Sequence, residues 1–374
     1  MSTIKNVKTI FNNNAVDTIY LAAASCYNNY KNSYSYSDKC DYIGKRVKAG
    51  HTSILEHGFL TIILGDVNQE IIDKYFLEFT NCTEFLKVFT SEIEDNAEED
   101  EDTKPRSIKS ILVSGSIRGY NELLTQMESY PDNVILTTIL EELYTHVDKC
   151  MFVNLEQEGK EYIDFNRFLP QDTQEAIGTN ARPINVFYNP MNIFFNKNHF
   201  KGYIDGLIEL GFTYHDIIKC IPVTVQFLEM SRTATHQLVR HRNAITQESQ
   251  RFVKFTGDNK DPNPEKYMNK EFEIELFDKK EKMTLEGLSQ VFVSIYKQLL
   301  GQGMLKEEAR AFLPQNVKSK VVMTFTLYNL FKFLELRTDS HAQYEIRKYA
   351  EAIRDNVCAF AKIKELYNMW DSIS

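Results

Sequence analysis

Between Ser231 and Phe255 the chain reads SRTATHQLVRHRNAITQESQRFVKF, its densest run of chemistry-bearing side chains. Arg232, His236, Arg240, His241, Arg242 and Arg251 stand there beside Gln237, Glu248, Ser249 and Gln250. A guanidinium is a planar fork of N–H donors that suits phosphate oxygens and carbonyl edges. Three consecutive side chains such as Arg240-His241-Arg242 splay in different directions, so more than one partner can be gripped. A bare Arg-His-Arg tripeptide is usually a charged helix end with exposed salt bridges. Glu248-Ser249-Gln250-Arg251 weighs against that reading, because it adds a further guanidinium and three hydrogen-bonding groups at once.

Other chemistries find less support. His51 and His57 are six apart and His236 and His241 five apart, so neither pair has the i, i+4 spacing of two ligands on one helical face, and no metal site is expected. Glu56-His57 reads as a structural hydrogen bond at a strand start. The six cysteines, Cys26, Cys40, Cys82, Cys150, Cys220 and Cys358, include no Cys-x-x-Cys pair. They read as reduced thiols, neither a disulfide framework nor a zinc site. Gly115 and Gly119 do not make a GxGxxG phosphate loop, so a Rossmann-type FAD domain is not expected.

The elements that must position the cluster follow from patterning. A helix from about Thr233 buries Ala234 and Leu238 and delivers Arg240-His241-Arg242 at its C-terminal end, where the dipole favours cations. Val16 to Tyr27 reads as a buried helix. From Tyr42, YIGKRVKAGHTSILEHGFLTIIL predicts a helix ending near Gly50, a polar turn, and a strand from about Gly58 to Leu64. Ile108 to Leu124 reads as strand then helix, with Ser114 or Ser116 as the cap and Ile117, Tyr120 and Leu124 on one face. Leu327 to Arg337 predicts an amphipathic helix. Ser340 with Gln343 reads as a capping box starting another, whose stripe is Ala342, Ile346, Tyr349, Ile353, Val357 and Phe360.

Tyr42 begins YIGKRVKAGHT and Tyr203 begins YIDGLIELGFT, 161 positions later. Tyr, Ile, Gly and Thr recur, and an apolar stretch follows each copy. An internal duplication is therefore expected, with residues 1–195 and 196–374 as the halves. The fold class expected is α+β, each half pairing a small mixed or antiparallel sheet with long helices. At 374 residues with 43% hydrophobic and 25% charged side chains, the chain can bury a large core. A net charge of −9 argues against general nucleic-acid binding, though a local basic pocket remains compatible with it. The run from Glu92 to Asp102 reads as a solvated acidic loop. No apolar run nears the roughly 20 residues that span a bilayer, and the N-terminus lacks a signal-like apolar core, so no membrane association and a cytoplasmic location are expected.

The Arg-His-Arg run, its spacer and Ser-x-Arg resemble the signature of flavin-dependent thymidylate synthases, and HQLVRHR extends the likeness. GHTSILEH (50–57), ARAFLP (309–314) and LRTDSHAQYEIRKYA (336–350) resemble the family in the right order. The resemblance covers roughly 16–64 and 222–365 and leaves about 150 residues that an ordinary member lacks. It implies a homotetramer-type assembly with FAD and dUMP between subunits, methylene-tetrahydrofolate as carbon donor, NADPH as reductant, and no protein nucleophile on the pyrimidine. By the same resemblance, Arg240, His241 and Arg242 hold FAD, joined by His51, Ser53 and Glu248. Gln237, Arg240, Ser249, Gln250, Arg251 and Arg310 bind dUMP. Arg337 contacts the pyrimidine, favours its ionised form, and is the residue expected to be catalytic.

The chain departs from the family in two ways. Six residues, not seven, separate Arg-His-Arg from Ser249. The family's Asn-x-Arg flavin element falls on Thr326-Leu327-Tyr328, and Lys332 occupies another flavin position. LVSGSIRGYNELL (112–124) resembles the missing element, with Ser116 and Arg118 at the Asn and Arg positions. The expectation is a site split between copies: His51, Ser53, Ser116 and Arg118 from the first, the remainder from the second. A relative installing another one-carbon group such as hydroxymethyl, or an inactive flavin- or nucleotide-binding homologue, stays open at this point.

Overall fold

Glycine and β-branched residues punctuate the N-terminal part into short helices and long strands. The computed structural model describes residues 4–95, 106–126, 129–151, 182–186, 189–194, 203–250, 271–276 and 279–371. The chain begins β1 (Ile4–Asn12), α1 (Ala15–Cys26), α2 (Tyr36–Lys48), a 3₁₀ turn (Thr52–His57), β2 (Phe59–Val67), α3 (Gln69–Asn81), β3 (Lys87–Asp95), β4 (Arg106–Ser116), α4 (Ile117–Thr125), α5 (Val134–His146) and a 3₁₀ turn (Lys149–Met151). It continues with β5 (Arg182–Val186), β6 (Asn189–Phe194), α6 (Tyr203–Glu209), α7 (Tyr214–Ile218), β7 (Pro222–Ser231), α8 (Arg232–Leu238), a 3₁₀ turn (Val239–His241) and β8 (Ala244–Gln247). Last come β9 (Glu271–Leu276), β10 (Lys279–Thr284), α9 (Leu285–Gly301), α10 (Lys306–Ala309), β11 (Lys318–Thr326), α11 (Leu327–Thr338), α12 (Tyr344–Val357) and α13 (Ala361–Asp371). The fold is α+β, as expected.

Two antiparallel sheets organise the described residues. The first has the order β1-β2-β4-β3, the second β5-β6-β7-β11-β8, and β9 with β10 forms a separate hairpin. β5 and β6 precede residue 195, the expected boundary, yet β6 pairs with β7, so both belong to the second sheet. β2 is buried on both faces. Leu60, Ile62 and Leu64 enter a core with α1, α2 and α5, while Ile63 enters the other core beside Phe227, Val225 and α11. This explains its near-continuous apolar run, the pattern of a strand covered on both sides.

The polar groups between the sheets are paired. His57 is fully buried and hydrogen-bonds through Nδ1 to Thr324 Oγ1 (3.1 Å) and through Nε2 to Thr246 Oγ1 (2.8 Å). Glu56 is not its partner, contrary to expectation. Thr61 Oγ1 donates to the Cys220 carbonyl (3.0 Å), and the Ser249 N–H to the Cys26 carbonyl (2.9 Å).

Local signals in the two parts coincide. α2 and α6 both end in a left-handed glycine, Gly50 (φ 85°) and Gly211 (φ 84°). Gly50 N–H donates to Val47 O and His51 N–H to Arg46 O; Gly211 N–H donates to Ile208 O and Phe212 N–H to Leu207 O. These are the two bonds of the same C-terminal motif, which only glycine enters without strain. Ser116 caps α4 and Thr326 caps α11, each accepting from the N–H three residues on. The α12 start differs from the predicted capping box: Gln343, not Ser340, is its cap, and Ala342 lies in the turn before it. Asp339 accepts from the His341 N–H (2.8 Å) and so shapes that turn. The acidic run keeps β3 form through Asp95, and its remainder lies outside the described residues.

Candidate active site

Ser231 ends β7 and caps α8 by accepting from the Ala234 N–H (3.1 Å). The helix buries Ala234 and Leu238 as patterning predicts. It tightens into a 3₁₀ turn at Val239–His241 and stops at Arg242, whose φ of 50° is left-handed. A non-glycine residue held there is an uncommon conformation. The turn sends Arg240 and His241 to one place and Arg242 to another.

His241 meets Arg337, near the end of α11. Arg337 Nε donates to His241 Nε2 (2.9 Å), and Nη1 to Gln237 Oε1 (3.4 Å). Because Nε2 accepts, the imidazole is neutral and carries any proton at Nδ1. Burial, then the Arg337 charge, lowers the His241 pKa to about 4. Burial and neighbouring Arg240 lower that of Arg337, which as an arginine stays charged. Gln237, Arg240, His241 and Arg337 therefore form one cationic patch.

Arg242 faces a different space, a cleft of about 490 Å³ between the two sheets. Glu56, Lys87, Ser114, Ser116 and Arg118 line it from the first part of the chain, and Asn243, Thr324, Thr326 and Asn329 join Arg242 from the second. Ser116 and Arg118 come from the β4–α4 junction, where the Ser116 cap and the Gly58 carbonyl, accepting from Ile117 N–H (2.8 Å), set the helix start. Arg118 forms an ion pair with Glu56. Burial lowers the Lys87 pKa. Asn329 Nδ2 donates to Asn243 Oδ1 (2.7 Å), tying α11 to the turn after Arg242.

The remaining expected residues lie elsewhere. His51 and Ser53 are exposed and do not line the cleft; His51 Nε2 is 3.2 Å from the hydroxyl of Tyr27, and Arg46 stacks over the Tyr27 ring at 4.2 Å. Glu248 is buried, takes the Lys320 N–H on Oε2 (3.3 Å), and is thus set by the edge of β11. Ser249 is half-buried beside Cys26, Gln250 is buried, and Arg310 is half-buried, donating to the Glu307 carbonyl (3.0 Å) near Arg232. Arg251 lies outside the described residues. In place of the missing Asn-x-Arg, Thr326 and Asn329 reach the cleft, while Tyr328 packs edge-on against His215 and Trp370. Sequence reasoning missed Glu56, Lys87, Asn243 and Asn329. Asn329 was the most findable, three residues after its cap and beside the departure already noted.

The donor set suits a phosphorylated dinucleotide such as FAD. Two guanidiniums and a lysine outnumber the carboxylates of Glu56 and Glu122, serine and threonine hydroxyls and asparagine amides offer neutral hydrogen bonds, and the volume falls within the range of ligand pockets.

A family model described as thymidylate synthase complementing protein matches residues 171–361, 191 of the 374. A flavin-dependent thymidylate synthase of Pyrococcus furiosus is 37% identical over 145 residues, 38% of this chain and 56% of its own. One of Pyrococcus abyssi is 34% identical over 175 residues (46% and 66%), and one of Geobacter sulfurreducens 32% over 149 (40% and 60%). The chain thus spans 56–66% of the length of these curated relatives. The family match takes in the Arg-His-Arg turn, Arg310 and Arg337, and on that extent the chain belongs to the thymidylate synthase complementing protein family.

Proposed function

We propose that the chain is a flavin-dependent thymidylate synthase, converting dUMP to dTMP with methylene-tetrahydrofolate and NADPH as co-substrates. The observation that carries this reading is the cleft in which Arg118 and Arg242, 124 residues apart, line one space. Ser116, Arg118 and Arg242 hold FAD there. When bound, FAD supplies the reducing equivalents received from NADPH. Gln237 and Arg240 orient dUMP beside Arg337, with Ser249, Gln250, Arg251 and Arg310 as further contacts. The Arg337 guanidinium, steadied by neutral His241, stabilises negative charge developing on the pyrimidine.

The site is also read as split between two copies of one ancestral fold. Support comes from matching strand orders, β1-β2-β4-β3 and β6-β7-β11-β8. The paired glycine motifs agree with it, as do two equivalent bonds, Ile117 N–H to Gly58 O and Leu327 N–H to Ile221 O. The copies divide before β5, near 182, because β5 and β6 pair into the second sheet. His51, Ser53 and Glu248, which do not line this cleft, complete the flavin site from a second copy of the chain. Two chains then reproduce a four-copy assembly, and the exposed apolar stripe Val291, Phe292 and Ile295 on α9 supports self-association.

The test is flavin content and product formation. Wild type is expected to purify yellow and convert dUMP to dTMP. Arg118→Ala and Arg242→Ala are expected to lose FAD to a similar degree. An Arg118→Ala protein with full flavin would overturn the split site. A yellow protein giving another 5-substituted product, or a colourless inactive one, would overturn the synthase reading.

A further inference from the structure

Away from the cleft, α2 and the 3₁₀ turn Lys149–Met151 bring three soft or anionic side chains together. One ligand atom each from Cys40, Asp148 and Cys150 (two Sγ and a carboxylate oxygen) lie within 4.8 Å of one another. Cys40 is buried, and the other two are half-buried. The two sulfurs are thus no more than 4.8 Å apart. The Cys150 N–H donates to Asp148 Oδ1 (3.0 Å), which fixes the carboxylate on its own turn. The turn packs directly on α2: a Cβ at Gly44, one helical turn after Cys40, would be in ordinary contact with Cys150 Cβ at 3.7 Å.

We propose that Cys40, Asp148 and Cys150 form a site for a divalent cation of the zinc class, bound by two thiolates and one carboxylate. Zinc–sulfur bonds of about 2.3 Å and zinc–oxygen bonds of about 2.0–2.2 Å place the donor atoms of a tetrahedral site under about 4 Å apart, a spacing this triad can adopt. Thiolates select zinc over calcium or magnesium. The carboxylate, held by a backbone N–H, has the outer-shell support that ligands of such sites require. Water takes the fourth position, and each thiol releases its proton to solvent as the metal binds. The site joins α2, whose C-terminal motif leads into His51, to the chain after α5. It does not depend on the proposed synthase activity.

The experiment uses tag-free full-length protein, reduced and stripped of metal by a chelator, titrated with Co²⁺ and read by difference spectra. A saturable one-to-one uptake is expected, with the intense visible bands of a tetrahedral site, a thiolate charge-transfer band, and displacement by Zn²⁺. Cys40→Ser and Cys150→Ser are expected to weaken uptake at least ~100-fold, the upper range for losing an outer-shell partner. In unmutated protein, Zn²⁺ is expected to shield Cys40 and Cys150, but not Cys26 or Cys82, from alkylation. Three results would overturn the proposal: no saturable bands, bands unchanged in both serine variants, or a Cys40–Cys150 disulfide whose reduced form takes up no cobalt.

Discussion

Arg337 divides its guanidinium between a neutral imidazole and an amide, so its planar fork matters as much as its charge. In the proposed synthase, Arg337→Ala is expected to lower kcat by about 10²–10³-fold, the range for removing a charge-stabilising donor, while FAD stays bound. Arg337→Lys should recover little, because a lysine cannot reproduce two fixed donors. Near-normal turnover in either variant would remove Arg337 from the chemistry. The buried imidazoles make a separate prediction. Burial lowers the His57 pKa from 6.5 to about 3, and that of His241 falls to about 4. Both groups are charged only in acid, and the unfolded chain takes up their protons first. The stability they lend is therefore intact above about pH 6.5 and is lost as pH falls toward 3–4. His57 alone accounts for on the order of 5 kcal/mol; partly exposed His241 contributes less. Urea midpoints measured from pH 7.5 to 4.5 should fall steeply, and His57→Gln should flatten the slope. An unchanged slope would place the acid sensitivity elsewhere.

The two helix-ending glycines separate backbone strain from packing. A Cβ at Gly50 meets nothing within 4 Å, whereas one at Gly211 meets Ile93 Cγ2 at 3.0 Å on β3 of the first sheet. Gly50→Ala should cost about 1 kcal/mol, from the left-handed φ alone. Gly211→Ala should cost more, since Ile93 must also shift, and equal losses in chemical denaturation would refute the packing contribution. These elements were legible in the sequence because glycine, caps and helical periodicity are local signals. The α1, β2, α4 and α11 segments and the end of α2 are legible to within a few residues, though α2 starts six residues before Tyr42, and the repeat at Tyr42 and Tyr203 leads to both glycines. Ser340 and Gln343 fit one motif, but the local turn in which Asp339 accepts from the His341 N–H precedes the helix, and Gln343 is the cap. The Glu56–Arg118 pair, the His57 partners and the Cys40–Cys150 contact were not legible. Each joins residues 62 to 267 positions apart, and only tertiary packing brings them together.

At the scale of the molecule, His57, Thr61 and Ser249 stitch the two sheets into one body, and α9 leaves its apolar stripe outward. The proposed assembly predicts two chains and two FAD per particle by light scattering. Replacing Phe292 and Ile295 with aspartate should shift it to single chains; a stable four-chain particle with four FAD would rule the arrangement out. No helix among the described residues is long and apolar enough to cross a membrane. The cleft between Arg118 and Arg242 is lined by one polypeptide. Where two separate chains supply the two arginines, dilution separates the walls of the pocket and the ligand leaves with them. Here the walls are tethered and meet at an effective concentration independent of how much protein is in the tube. In the proposed assembly the cleft should therefore persist at concentrations at which the dimer itself has come apart, and a bound flavin should lose only the contacts that the second chain adds through His51, Ser53 and Glu248.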